Sequence, residues 1–378
     1  MTRNPSAENT PDASRPADLS WVARPYDPAD RTAILSLIRS YYGAIETANG
    51  AFFDWQYFEN PSGPVVLWLA HGAGSAIVGQ HVLLPMRFLI DGAPADSALS
   101  FNALVDPRYH GKGIWTGLGR KAHDEARSRG VRMTYGIPNP NSHRPMVKDL
   151  EYRRVFDVPV LVKPLDLAGA VRGVVKGLPG RILSGPAGLA RPILFPRARV
   201  PRNAPLAVPV DRFDSAYDTL ARISGQRYRV LLNRDAAHLN WRYVDCPTRS
   251  TLRWAVRQGS RVAGYLVLRV TDFRGLKMGI LLDLLTDGTP EGRMAGIALA
   301  AEAEAAARQE GCTLLLGFCL AHTMEFSLLE RSGWKVGPAR LLPQPFPLLV
   351  RGLQMEPTDP DLAEPRNWYL STGDYDVF

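Results

Sequence analysis

The most regular stretch of apolar and polar positions lies between residues 100 and 137. Ser100-Phe101-Asn102-Ala103-Leu104-Val105 is a strand-like run, and Ile114, Leu118, Ala122 and Ala126 then recur at helical spacing until Gly130 closes the helix. Val131 to Ile137 begins a second strand-like segment at once. The pattern predicts a strand, helix, strand unit, and the chain carries it twice. Asp106, Leu118, Ala122, Gly130 and Gly136 correspond to Asp287, Leu299, Ala303, Gly311 and Gly317 at one constant offset of 181 residues. Upstream, "DWQYFENP" (Asp54 to Pro61) matches "NWRYVDCP" (Asn240 to Pro247) with Trp, Tyr and Pro in the same places. Two repeats, each large enough to bury a core, suit 378 residues better than one oversized domain.

Between strand and helix stands Asp106-Pro107-Arg108-Tyr109-His110-Gly111-Lys112-Gly113-Ile114-Trp115, which reads R-x-x-G-x-G. Glycines at a helix start let backbone N–H groups approach an anion, and the helix dipole adds positive potential there. The expected ligand is a phosphate-bearing cofactor. The spacing fits neither a Walker A loop nor the G-x-G-x-x-G dinucleotide fingerprint.

The segment Phe101 to Val155 resembles the central motif of the GNAT superfamily of acyl-CoA N-acyltransferases. The resemblance implies that Arg108, Tyr109, His110 and the backbone of Gly111, Lys112, Gly113, Ile114 and Trp115 hold the coenzyme A pyrophosphate. It also implies a bulged strand that splays from its neighbour, with pantetheine in the gap beside Leu104 and Val105 and near Asn139, Asn141 and Ser142. With the internal repeat, the fold class is α/β (α+β): two tandem GNAT folds, each a mixed, splayed sheet flanked by helices. The donor is then acetyl-CoA or another short acyl-CoA, the acceptor the primary amine of a small molecule such as an amino sugar or a natural-product amine, and no metal is needed. A GNAT-fold aminoacyl transferase and a non-catalytic acyl-CoA-binding protein remain as alternatives.

At the same offset Arg108 becomes Thr289, His110 becomes Glu291 and Gly113 becomes Met294. A carboxylate and a bulky side chain oppose a pyrophosphate, so the second repeat is expected to wall the acceptor site rather than bind coenzyme A. The implied organisation is a disordered tail (1–18), a coenzyme A-binding domain (19–165), a basic amphipathic helix and connector (166–207), a degenerate domain (208–346) and a C-terminal tail packed on both (347–378).

Charge changes this picture in one place. The chain carries a net +8, and between Leu167 and Val210 lie Arg172, Lys176, Arg181, Arg191, Arg197, Arg199 and Arg202 with no acid among them. Peripheral membrane contact through residues 167–210 is one reading; a helix packed on the repeats with solvated arginines is the favoured one, because Gly173, Gly177 and Gly180 weaken a free-standing helix. No reader motif points to nucleic acid. The polar N-terminus and the lack of a long apolar run suggest a cytoplasmic protein, and Cys246, Cys312 and Cys319 have no metal-ligand spacing and read as buried thiols.

Amine attack requires a neutral amine and hence a proton acceptor. The candidates are His81 on the preceding strand and Asp283 in the second repeat; Asn102, the counterpart of Asp283, stands on the strand beside the acyl group, but its amide cannot usefully accept a proton at neutral pH. The family's usual tyrosine acid falls at Val147 or Lys148, leaving Ser142, Lys148 or a water for that role. Trp55 and Trp241 read as core anchors of each repeat, or as an aromatic wall for substrate. Residues 367–378 read equally as a lid over the cleft or a strap on the second sheet.

Overall fold

The computed structural model describes residues 19–169, 190, 192–273, 275–342 and 344–375. The tail expected over 1–18, most of the basic helix and the last three residues lie outside the described residues. The first half runs β1 (Val22–Pro25), α1 (Arg31–Tyr42), α2 (Gly50–Phe58), β2 (Val66–His71), β3 (Ile77–Ile90), β4 (Ala93–Val105), α3 (Ile114–Ser128), β5 (Met133–Gly136), α4 (Pro140–Asp149), β6 (Arg153–Asp157) and β7 (Val160–Pro164). The second runs β8 (Val208–Pro209), α5 (Ala216–Gly225), β9 (Val230–Leu232), α6 (Ala236–Tyr243), β10 (Leu252–Gln258), β11 (Arg261–Phe273), β12 (Leu276–Thr286), α7 (Pro290–Gln309), β13 (Leu314–Phe318), α8 (Met324–Arg331), β14 (Lys335–Val336) and β15 (Pro347–Gly352).

The predicted strand, helix, strand units are β4–α3–β5 and β12–α7–β13. Helix α3 buries Ile114, Leu118, Ala122 and Ala126 on the sheet, and the turn after it is made by Gly130 at φ +84°. Each repeat forms its own mixed sheet, parallel only at β4/β5 and β12/β13. The fold class is therefore the expected one, two splayed mixed sheets flanked by helices.

The sheets do not, however, respect the boundaries near 165 and 346. Their orders are β1-β2-β3-β4-β5-β15-β6, with β9 also against β3, and β14-β7-β13-β12-β11-β10-β8. Strand β7, continuous with the first half, crosses into the second sheet, where it pairs with β13 and β14. Strand β15 returns from the far end of the chain and inserts between β5 and β6. Both are fully integrated: Leu348, Leu349 and Val350 of β15, and Val160, Leu161 and Lys163 of β7, are all buried. The Lys163 ammonium is satisfied across the exchange by Glu304, 2.5 Å away on α7.

The repeats face each other through their shared tryptophan. Trp55 and Trp241 stack with centroids 5.0 Å apart and planes at 22°. Each indole N–H donates to the other residue's carbonyl, at 3.0 and 3.1 Å. This reciprocity marks a local pseudo-twofold contact, so the pair joins the repeats rather than anchoring each one separately or walling a substrate.

Candidate active site

The site begins at a bulge. Gln80 pairs with Leu104 but Val82 with Phe101, so Asn102 and Ala103 together oppose His81. Asn102 takes the left-handed conformation, φ +46°, unusual for a non-glycine residue. Two hydrogen bonds hold it there. Gln80 donates its amide N–H to the Asn102 carbonyl at 2.8 Å, and the Asn102 side-chain amide donates to the Tyr57 hydroxyl at 2.8 Å. The β3 ladder resumes with Leu104 and Val105. The second repeat bulges at the matching point, between Val267 and Leu268 opposite Leu281 to Asp283.

Past the bulge the first sheet opens. Strands β4 and β5 pair only from Ser97, Ala98 and Leu99 to Met133, Thr134 and Tyr135. At Gly136 a Cβ would stand 3.2 Å from the Ser100 carbonyl, so the glycine permits the close approach from which the two strands diverge. Leu104 and Val105 are buried, bonded to β3 on one edge, with no strand on the other. The β4 edge from Ser100 to Val105 thus borders a gap leading to the glycine-rich turn.

That turn leaves only some of its amides without an internal partner, since the Lys112 N–H donates to the Tyr109 carbonyl at 3.3 Å. Gly111 and Gly113 have φ +76° and +74°, which side chains rarely adopt. Gly113 caps α3 with no side-chain acceptor, so the N–H groups of the first helical turn, including Ile114 and Trp115, lack a local partner. The other side chains seat the turn on the sheet. Tyr109 is buried with its hydroxyl against Gly72, His110 Nε2 lies 3.1 Å from the Val105 carbonyl, and Ile114 fills the space beside Gly79. Trp115 covers His81, and the Lys112 carbonyl accepts the Trp21 indole N–H at 3.1 Å. Arg108 projects with its side chain 78% exposed, but it is not free: Asp106 holds its guanidinium at 2.7 Å and also accepts the Arg108 backbone N–H at 2.9 Å. Hydrogen bonding to Arg108 lowers the Asp106 pKa. Any anion binding at Arg108 would have to share its guanidinium with Asp106 or displace that carboxylate.

Beyond the gap, Asn139 caps α4, its Oδ1 accepting from the N–H groups of Asn141 and Ser142 at 3.0 and 3.1 Å. The Ser142 hydroxyl bonds the same atom at 3.1 Å, and Lys148 is exposed on the helix. These polar residues organise the helix start beside the gap.

Two catalytic candidates are corrected by their surroundings. His81 points under α3, not into the gap: it is 0% exposed, wedged among Trp115, His123 and Gly119, and neither ring nitrogen has a hydrogen-bond partner. Burial, aided by the nearby His123, pushes its pKa down to about 3. It is neutral and sealed from any acceptor. Asp283 is a structural counter-ion, 1% exposed, bonded to Arg234 at 2.9 Å and to the hydroxyls of Tyr265 and Tyr243 at 2.7 and 3.3 Å. Asn102 stays at the bulge, but its amide nitrogen is committed to Tyr57. The sequence reading missed Tyr57, which lies in α2 forty-five residues upstream, and the buried pair in which Tyr152 Oη lies 2.9 Å from His123 Nε2.

The second repeat closes both parts of the site. Thr289 caps α7 through its side chain, accepting from the Gly292 N–H at 3.0 Å, and Asp287 accepts from the backbone N–H and hydroxyl of Thr289 at 3.0 and 2.7 Å. The anion position is thus filled by the protein's own oxygens, a more direct obstacle than Glu291 or Met294. The gap between β12 and β13 is filled by the C-terminal segment. The Phe318 N–H donates to the Thr372 hydroxyl at 2.7 Å, Ser371 bridges Cys319, and the Tyr369 hydroxyl donates to the Leu284 carbonyl. Asp374 and Ser371 also bond Arg234, at 2.8 and 3.0 Å. Residues 368–375 are therefore a buried strap through the molecule, not a lid over its surface. Among the described residues no group of three or more His, Cys, Asp or Glu is placed to hold a metal, and no helix is long and apolar enough to cross a membrane.

A splayed strand pair that ends at an uncapped, glycine-rich helix N-terminus is the arrangement that the sequence resemblance to GNAT proteins implied. Residues 23–155 match the family model described as an acetyltransferase (GNAT) domain. No curated protein matches the sequence. Among solved structures the chain is similar to a GCN5-related N-acetyltransferase from Anabaena variabilis, with TM-score 0.62 and 11% identity over 88% of this chain and 73% of that one. It is also similar to a probable N-acyltransferase from Enterococcus faecalis, with TM-score 0.60 and 12% identity over 89% and 73%. Saccharomyces cerevisiae N-myristoyltransferase with bound myristoyl-CoA gives TM-score 0.59 at 11% identity over 99% of this chain and 92% of that one. At such identities the likeness is one of fold.

Proposed function

We propose that the protein transfers a short acyl group, acetyl in the simplest case, from acyl-CoA to the primary amine of a small molecule, using the first repeat alone as donor site. The observation that carries this reading is the contrast between repeats: the α3 N-terminus has no side-chain cap and no strand pairs into the β4/β5 gap, whereas their counterparts are filled by Asp287, Thr289 and the strap. Arg108 and the N–H groups of Gly111, Gly113, Ile114 and Trp115 hold the pyrophosphate, the Lys112 N–H being turned to the Tyr109 carbonyl. Leu104 and Val105 offer backbone groups to pantetheine, and the Asn102 bulge turns the end of the arm toward α2. Holding thioester and amine in register lowers the barrier by removing translational and rotational freedom before the chemical step. No buried carboxylate or histidine faces the bulge among the candidates, so the amine proton passes to water or to a group on the acceptor side.

Calorimetry with acetyl-CoA and coenzyme A, on the native chain and on the folded variants Arg108→Glu and Gly111→Asp, tests the donor site. One-site binding that both variants lose supports the reading, and no binding by the native chain overturns it. Turnover of acetyl- to myristoyl-CoA with a panel of amines then measures acyl length. Tight binding without turnover on any amine identifies an acyl-CoA-binding protein instead.

A further inference from the structure

The connector between the repeats carries a surface that acyl transfer does not explain. Its described part, residues 192–206, exposes Ile193 (83%), Leu194 (52%), Val200 (47%) and Leu206 (80%). These account for four of the twelve large apolar side chains exposed among the described residues, although the segment is short. Interleaved with them are Arg197, Arg199 and Arg202, all exposed, and none has a carboxylate partner among the described residues. The strip is not a detached loop. Pro196 sits against the Gly333 turn of the second repeat, where even a Cβ on the glycine would collide with the Pro196 carbonyl, and Ala207 packs into the second core. Two residues beyond Gly333, strand β14 adds exposed Lys335 and Val336 to the same neighbourhood.

Aliphatic side chains and arginines presented together, on a backbone interrupted by Pro192, Pro196, Pro201 and Pro205, select for a particular kind of partner. A nucleic acid would draw on the charges but gain nothing from Ile193 or Leu206, and the strip offers only the half-buried Phe195 for stacking on bases. The headgroup region of an anionic bilayer accepts both: phosphates meet the guanidinium groups, and the acyl-chain boundary takes the aliphatic side chains. The absence of any acid from Leu167 to Val210 makes the charge complementarity one-sided along the whole connector. We infer that residues 192–206, with the adjoining β14 edge, form a peripheral docking surface for anionic lipid. The helix of the sequence reading lies mostly outside the described residues, and the strip that follows it exposes its apolar side chains to solvent.

The test is co-sedimentation of the full chain with large vesicles of phosphatidylcholine alone and of phosphatidylcholine mixed equally with phosphatidylglycerol. Two variants are compared: Arg197→Glu/Arg199→Glu/Arg202→Glu, and Ile193→Ser/Leu206→Ser. All five positions are exposed, so thermal midpoints should stay unchanged and serve as the folding control. Expected are binding to the mixed vesicles only, at least about a tenfold loss in the triple variant, a severalfold loss in the double variant, and release at high salt as screening shortens the Debye length. Equal binding to both vesicle types overturns the inference. So does a double variant that binds like the native chain, or tighter binding to duplex DNA than to the mixed vesicles, since the apolar component would then have no role.

Discussion

His81, His123 and His238 are buried and neutral, and burial sets their pKa values at about 3, about 4 and about 3. The unfolded chain protonates the same residues near pH 6.5, so it binds more protons than the native state once pH falls below that value. Their contribution is fully present above pH 6.5 and fades as pH drops, down to about 4 for His123 and about 3 for His81 and His238. At 1.36 kcal/mol per pH unit the loss is roughly 2 kcal/mol per histidine by pH 5. Urea midpoints at pH 7 and pH 5 should differ strongly, and His238→Leu should shrink the difference; a pH-independent midpoint would refute the assignment. Arg234 makes a second prediction. It holds Asp283 and Asp374 with all three side chains buried, so Arg234→Met strands two carboxylates and should cost about 3–5 kcal/mol in urea unfolding. At this scale the sequence shows what backbone geometry requires and hides what contacts decide. Gly111 and Gly113 are legible because glycine is by far the most favoured residue at their positive φ. Nothing in the sequence around His81 tells which face of β3 it occupies, because a bulge in the partner strand shifts the alternation, and the grip of Asp106 on Arg108 depends on the turn between them.

The two strand, helix, strand units share a sequence pattern and a bulge, and they differ in how their helix starts are satisfied. Helix α3 leaves its first-turn N–H groups open, whereas α7 caps its own with Thr289. Thr289→Ala should therefore destabilise the fold by about 1 kcal/mol and leave acyl-CoA affinity unchanged. Arg108→Glu should do the reverse, lowering affinity with a constant thermal midpoint; paired calorimetry and thermal melts read both. The strap is as specific. Thr372→Val leaves the buried Phe318 N–H without an acceptor and should cost about 1–3 kcal/mol, measured by urea unfolding. Elements were legible where periodicity was strong, in β4, α3 and β5 and their counterparts. The strap was legible only as an aromatic, acidic segment, since its course depends on a gap that exists only once β12 and β13 have folded.

Across the whole molecule the repeat is real but the halves are not separable. Residues 19–207 alone would lack β15 between β5 and β6, and residues 208–375 alone would lack β7 between β13 and β14. Each half made singly should be insoluble or molten, and making both together should restore one soluble complex; a stable, cooperatively folding first half would contradict the exchange. Sequence reasoning placed the boundaries by composition and could not see this, because β7 and β15 are ordinary apolar strands whose residues do not encode which sheet receives them. The exchange also orders events during synthesis. Strand β6 ends at Asp157 and β15 begins at Pro347, so 190 further residues must leave the ribosome before the first sheet can close. At about 5–20 residues per second that delay is roughly 10–40 s, during which β5 and β6 wait with unpaired edges. The half that carries the glycine-rich turn is thus translated before its partner yet among the last parts to be completed, and a chain truncated before residue 347 lacks the strand that closes its sheet.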